Sequence, residues 1–156
     1  MFAPFYEAIA DVSATIQEHC DRLGRPVVGV LPAYFPLELV HAAGGYPVQI
    51  WGAGVAIDHA ETYLQPYCCS VARSALELEM RAAAPPIQAY VFTSLCDTLI
   101  NLRELYRRIF NKPVLGLSIP VAQSAEGRRS FLSTAVCGLL DGLEEITGRR
   151  ASNDDL

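Results

Sequence analysis

The stretch that decides the fold is Ala89-Tyr90-Val91-Phe92-Thr93, with Ser94-Leu95-Cys96-Asp97-Thr98-Leu99-Ile100-Asn101-Leu102 directly behind it. The first five residues are apolar or β-branched on both faces of an extended chain, as a strand buried inside a parallel sheet requires. A helical pattern then begins at once. Leu99, Leu102, Tyr106 and Ile109 form one apolar stripe over residues 97–110. A strand that passes straight into an amphipathic helix is half of a parallel crossover unit.

The same alternation extends in both directions. Pro85-Pro86 closes a helix expected over residues 69–84, and residues 113–119 supply the next strand, before a final helix at 129–146. Toward the amino terminus, Val27-Val28-Gly29-Val30-Leu31 is another short, doubly apolar run. Pro36 is placed to open a helix at 37–43, because its missing N–H is not needed in a first turn. A strand at 47–51 follows the Gly44-Gly45 turn, and residues 52–67 are polar and irregular. Phe5, Ile9, Val12 and Ile16 recur at helical spacing, predicting one helix over residues 3–22. The expected fold class is α/β, a Rossmann-like three-layer domain with a parallel sheet of about four strands and right-handed crossovers. Its expected divisions are an amino-terminal helical segment at 1–26, the domain proper at 27–150 and a tail at 151–156.

Composition narrows the function classes. The 156 residues suit one domain, and a chain of this size can bury roughly 70% of its unfolded surface without staples. The 12 Lys and Arg against 17 Asp and Glu give a formal net charge of −5, which argues against nucleic acid as a partner. The basic doublets Arg107-Arg108, Arg128-Arg129 and Arg149-Arg150 read as solvated helix faces. No apolar run approaches the roughly 18 residues that span a bilayer, and the acidic start of the chain is not a secretory signal. A cytoplasmic location is the expectation, and there the five cysteines remain reduced thiols.

Two of those cysteines occupy distinctive positions. Ligands of open α/β sheets bind beyond the carboxyl ends of the strands. Cys96 follows the strand at 89–93 and starts a helix; Cys69 starts the helix at 69–84. Both therefore face one edge of the sheet, where helix amino termini offer free N–H groups and favour thiolate. A lone cysteine is more often a small buried hydrophobe, and Cys20 and Cys137, inside helical patterns, are assigned that role. A vicinal disulfide between Cys68 and Cys69 is strained and uncommon. Zinc is disfavoured, because no C-x-x-C occurs and His41 and His59 lack ligand spacing.

Other motifs read as structural. Gly52-Ala53-Gly54 imitates the start of a dinucleotide fingerprint, but Ile57 stands where the third glycine belongs and no helix is evident behind it. Ser94 and Ser118 end strands without a G-x-S-x-G elbow. His41 reads as a packed, hydrogen-bonded side chain. Tyr34 and Glu38, at the carboxyl edge of the first strand, are equally suited to a substrate contact and to solvation.

Taken in order, several segments resemble the 2-hydroxyacyl-CoA dehydratase D-component family, which includes benzoyl-CoA reductase subunits. Val28-Gly29-Val30 through Pro36-Leu37-Glu38-Leu39-Val40-His41-Ala42-Ala43-Gly44 is similar to its opening strand and P-x-E-L-[IV]-x-A-A-G helix. Pro47-Val48-Gln49-Ile50-Trp51-Gly52 looks like its next strand. Tyr63-Leu64-Gln65-Pro66-Tyr67-Cys68-Cys69-Ser70-Val71-Ala72-Arg73-Ser74 resembles the segment in which a ligand cysteine precedes x-x-x-[KR]-S. Cys96-Asp97-Thr98-Leu99-Ile100-Asn101 resembles the second ligand segment, C-D-[TS]-x-x-N, and Leu143-Glu144-Glu145-Ile146-Thr147-Gly148 also has a counterpart.

The resemblance implies a [4Fe–4S] cluster held by three cysteines, one iron being open to substrate or water. It implies one-electron reduction of an acyl-CoA thioester, driven by a separate ATP-hydrolysing activator and carried out with a partner subunit in a homo- or hetero-oligomer. By motif position Cys69, rather than Cys68, is the first ligand and Cys96 the second. The third comes, in the family, from a second α/β domain, which is expected to be absent here; Cys137 is a poor substitute within its helix. Activity of this chain alone is not expected. The rival reading is a truncated, non-catalytic interaction domain that keeps the fold and leaves its cysteines as ordinary thiols, with an apolar face available for self-association.

Overall fold

The computed structural model describes residues 3–31, 34–82, 85–120, 124–152 and 155. Strand β1 (Val27–Val30) is fully buried, and its side chains part to opposite faces. Val27 and the following Leu31 join one apolar cluster, while Val28 and Val30 join the other. This division is what a run without polar alternation predicts for an interior strand. β1 pairs in parallel with β2 (Tyr46–Gln49) on one side and with β3 (Ala89–Thr93) on the other; β3 in turn pairs with β4 (Val114–Leu117). The sheet order is β2-β1-β3-β4. The four-stranded, all-parallel α/β architecture expected from the sequence is the one observed.

Helices cover both faces. On one lie α2 (Val12–Leu23), α4 (Ser70–Met80) and α5 (Asp97–Ile109), joined through Ile16, Cys20, Leu76, Leu99, Leu102 and Tyr106. On the other, α3 (Leu37–Ala42) and α6 (Ala125–Thr147) pack Leu39, Val40, Leu139 and Leu143 together. The first crossover, β1-α3-β2, steps one way along the sheet; the next two, through α4 and α5, step the other way. Right-handed connections running in opposite directions must place their helices on opposite faces. On the α5 face, Tyr106 meets Tyr90, Phe92 and Phe110 edge-on, with ring centroids 4.9, 5.1 and 4.9 Å away.

Several boundaries depart from the sequence expectation, each for a local reason. The helix expected over 3–22 is two, α1 (Ala3–Ala10) and α2, divided at Asp11. Its carboxylate accepts from the Ala14 N–H at 2.9 Å, and its own backbone leaves the helical region. This is the behaviour of an N-cap aspartate. The apolar stripe is divided with it. Ile16 is buried, but Ile9 and Val12 are 67% and 50% exposed. β2 begins at Tyr46, one residue before Pro47, and β4 is trimmed to Val114–Leu117. Pro47 is tolerated because β2 is an edge strand, where a missing N–H need not leave a gap in the ladder. α6 starts four residues early because Ser124 caps it, its hydroxyl accepting from the Gly127 N–H at 3.1 Å. α4 ends at Met80, short of the expected 84; Ala83 and Ala84 lie outside the described residues.

Candidate functional site

Strand order reverses direction between β1 and β3, so the crevice at their carboxyl ends is the position where open α/β sheets take ligands. Tyr34 follows β1 there, with φ at +52° and its side chain 87% exposed. Glu38, in the first turn of α3, is exposed. After β3, the Ser94 hydroxyl accepts from the Ile119 N–H at 3.2 Å, tying the exits of β3 and β4 together. His41 is exposed on α3, which corrects the packed role expected from its apolar neighbours.

Cys96 is the N-cap of α5 and Cys69 the N-cap of α4. Both have extended backbones, and neither thiol caps its own helix. The local cause is common to both. A strand or loop arrives extended, a short polar residue follows (Asp97 or Ser70), and helical dihedrals begin there. Helices that return antiparallel to the strands begin at the carboxyl edge of the sheet, and α4 and α5 share one face. Both thiols are therefore at the same edge, and both are exposed. Their immediate neighbours converge. Cys68 and Asp97 line one cleft of about 600 Å3, together with Tyr63, Tyr67, Asn101 and Arg108.

The other cysteines differ in environment. Cys20 is buried on α2, and burial pushes its thiol above the ordinary value, with Asp21 adding to the shift. Cys137 is exposed on α6, which corrects its expected assignment as a small core residue. α6 buries only a narrow stripe, with Leu139 and Leu143 at its centre. All five cysteines are free thiols. Among the described residues no group of three or more His, Cys, Asp and Glu is gathered closely enough to hold a metal ion. The thiols of Cys69 and Cys96 fit an iron–sulfur cluster in chemistry and in edge, and would supply only part of a cluster's donor set.

The residue that sequence reasoning missed is Glu77. Its side chain has no exposure. One carboxylate oxygen accepts from the backbone N–H groups of Asp58 and Ala60 at 3.0 and 2.8 Å. The other meets His59 Nδ1 at 3.0 Å and accepts from Arg81 Nε. Burial alone would raise this carboxyl, but the Ala60, His59, Asp58 and Arg81 donors together hold it far below the ordinary glutamate range. Arg81 also reaches the Ala56 carbonyl at 3.0 Å, and Arg73 pairs with Glu61 at 2.6 Å. The polar stretch at 52–67 is thus fastened along α4. One signal was present in the sequence: Glu77 and Arg81 stand at i and i+4, with Glu77 next to the buried stripe of Ala72, Ala75 and Leu76.

The dinucleotide-like loop has no helix behind it. After Gly54 the chain remains irregular up to a 3-10 turn at Ala60–Thr62.

Comparison with known proteins gives concordant matches. A family model described as 2-hydroxyglutaryl-CoA dehydratase, D-component, matches residues 32–156. Lactoyl-CoA dehydratase subunit beta of Anaerotignum propionicum is 35% identical over 150 residues, covering 93% of this chain and 40% of that protein. The (R)-phenyllactyl-CoA dehydratase beta subunit of Clostridium sporogenes is 26% identical over 156 residues, covering 99% and 42%. A benzoyl-CoA reductase subunit of Thauera aromatica is 30% identical over 135 residues, covering 85% and 35%. The chain spans well under half the length of these curated relatives.

Proposed function

The chain belongs to the 2-hydroxyglutaryl-CoA dehydratase D-component family, and on that premise we propose that it is the iron–sulfur-binding α/β domain of an acyl-CoA dehydratase or reductase, with Cys69 and Cys96 as two thiolate ligands of a [4Fe–4S] cluster. The observation that carries the reading is the placement of both thiols at N-caps of adjacent helices, on one edge of the sheet, with neither thiol used in capping. Each helix start presents N–H groups and the positive end of its dipole at this edge. The same donors are available to the sulfurs of a bound cluster and set its potential.

A cluster so held would supply low-potential one-electron transfer to a CoA thioester. The protein's own work is to fix the thiols and shape the cleft beside them. Residues 27–150 are the cluster domain in this reading, and residues 1–26 are an appended helical segment. Further ligands come from outside the described residues, and the complete enzyme includes a partner subunit and an ATP-hydrolysing activator. The relatives, each named as one subunit of its enzyme, support such an assembly. A reducing, cytoplasmic setting goes with five free thiols, and among the described residues no helix is long and apolar enough to cross a membrane.

α1 presents Tyr6 and Ile9 to solvent at 69% and 67% exposure, a face that the rival, a non-catalytic interaction domain, would use for self-association. An assembled enzyme uses such a face equally well, so the thiols decide. The test is anaerobic cluster reconstitution of cysteine variants, followed by visible absorbance. Cys69→Ser and Cys96→Ser abolish the cluster band, and Cys137→Ser retains it. Cys68→Ser is milder than Cys69→Ser; the reverse order would move the ligand by one residue. Equal loss from Cys96→Ser and Cys137→Ser would overturn the assignment.

A further inference from the structure

We propose that Glu77 is the positioning residue for the cysteine segment at 58–69, an inference that rests on the cluster reading above and adds the element that presets its first thiol. A carboxylate with no exposure is costly to bury unless its oxygens are matched by donors. Among the described residues, every donor to it but Arg81 comes from residues 58–60, the point where the irregular stretch turns back along α4. Arg81 extends the clamp to the Ala56 carbonyl. Immediately beyond the clamp, Ala60 and Leu64 are buried in the core on the α5 side, and Cys68 packs against that same cluster. The Arg73–Glu61 pair fastens the residue directly after the clamp to the first turn of α4.

The segment therefore has its start bonded to the carboxyl half of α4 and its end covalently joined to that helix's N-cap, Cys69. Ala60, Leu64 and Cys68 pack in one cluster, so release of residues 58–60 from Glu77 is expected to loosen Cys68 against the α5 side of the core. An amide at this position cannot replace the carboxylate. Glutamine has one acceptor oxygen, and its NH2 group opposes the donors that face the other side.

The test is residue-resolved alkylation of the full-length apoprotein with N-ethylmaleimide, read by tandem mass spectrometry, beside iron uptake on anaerobic reconstitution. Cys68 and Cys20 pack in the same apolar cluster. Cys20, on α2, reports opening of the whole core, whereas Cys68 reports release of the segment. In Glu77→Gln, Cys68 reacts about ten-fold faster or more, because charge-assisted hydrogen bonds are lost, while the Cys20 rate is unchanged and less iron is retained. Parallel acceleration of Cys68 and Cys20, or acceleration of neither, would overturn the inference. If Glu77→Gln does not fold, His59→Ala removes one donor from a half-exposed side chain and is expected to accelerate Cys68 alone, by a smaller factor; no change at Cys68 would again overturn it. A wild-type chain that takes up no iron defeats the cluster reading, and the alkylation rates then decide the role of Glu77 independently.

Discussion

Gly52 lies so close to Ser74 that a Cβ on it would fall 2.0 Å from the serine hydroxyl. Its φ is +75°, in the left-handed region that favours glycine. The Ser74 hydroxyl is itself committed, donating to the Ser70 carbonyl at 2.7 Å within the first turns of α4. Gly52 thus joins the exit of β2 to the helix that Cys69 begins. A glycine is required there by packing and by backbone conformation, not by a nucleotide phosphate.

The two glycines of the Gly52-Ala53-Gly54 loop accordingly differ in their tolerance of substitution. Gly52→Ala is expected to cost about 1–3 kcal/mol from the backbone conformation alone, with the Ser74 contact adding to it. Gly54 has open space where its Cβ would be; Gly54→Ala is expected to stay within about 0.5 kcal/mol. Urea unfolding of both variants checks this. Equal losses would contradict the packing account.

Much of this arrangement was legible in the sequence, and each part that was not has a physical cause. Val27–Val30 and Ala89–Thr93 announce themselves because interior parallel strands need apolar residues on both faces. The N-cap position of Cys96 follows from where a strand pattern meets a helix pattern, and that of Cys69 from where the irregular stretch gives way to one. Glu77 was not legible, because its partners at 58–60 lie in a stretch with no periodicity, and only the tertiary fold brings them to α4. The exposure of Cys137 was hidden for a related reason: α6 mixes small, polar and apolar residues on every side, and a weak pattern does not say which side is buried. Asp11 dividing α1 from α2 was a local signal overridden by the apolar spacing around it.

Acid unfolding provides a second prediction. The Glu77 carboxyl is depressed in the folded chain, so its stabilising contribution is full above the ordinary value of 4.5 and is lost as pH falls below that toward the folded value. The wild type is expected to lose stability as acid is added through this range. Glu77→Gln is expected to be less stable at neutral pH and to show a shallower acid decline. Asp155, held low by the Ser152 N–H and hydroxyl and by Arg149, keeps its share of the slope in both proteins. Urea midpoints measured from neutral pH to below 4.5 check the difference, and parallel curves would contradict it.

The divided amino-terminal stripe gives a third. Ile16 is 7% exposed and Ile9 67%. Ile16→Ala is expected to cost about 2–5 kcal/mol, as for other buried isoleucines. Ile9→Ala is expected to change stability by less than about 0.5 kcal/mol. Similar losses at the two sites would mean that α1 is packed in solution as firmly as α2.

The central claim is that Cys69 and Cys96 hold an iron–sulfur cluster. Its most direct test is iron and acid-labile sulfide per chain after strictly anaerobic reconstitution, with the visible spectrum recorded alongside. The account predicts about four iron and four sulfide per chain, or per pair of chains, with thiolate-to-iron absorbance. Negligible iron and sulfide in a folded chain would contradict it and leave an α/β interaction domain with two exposed thiols.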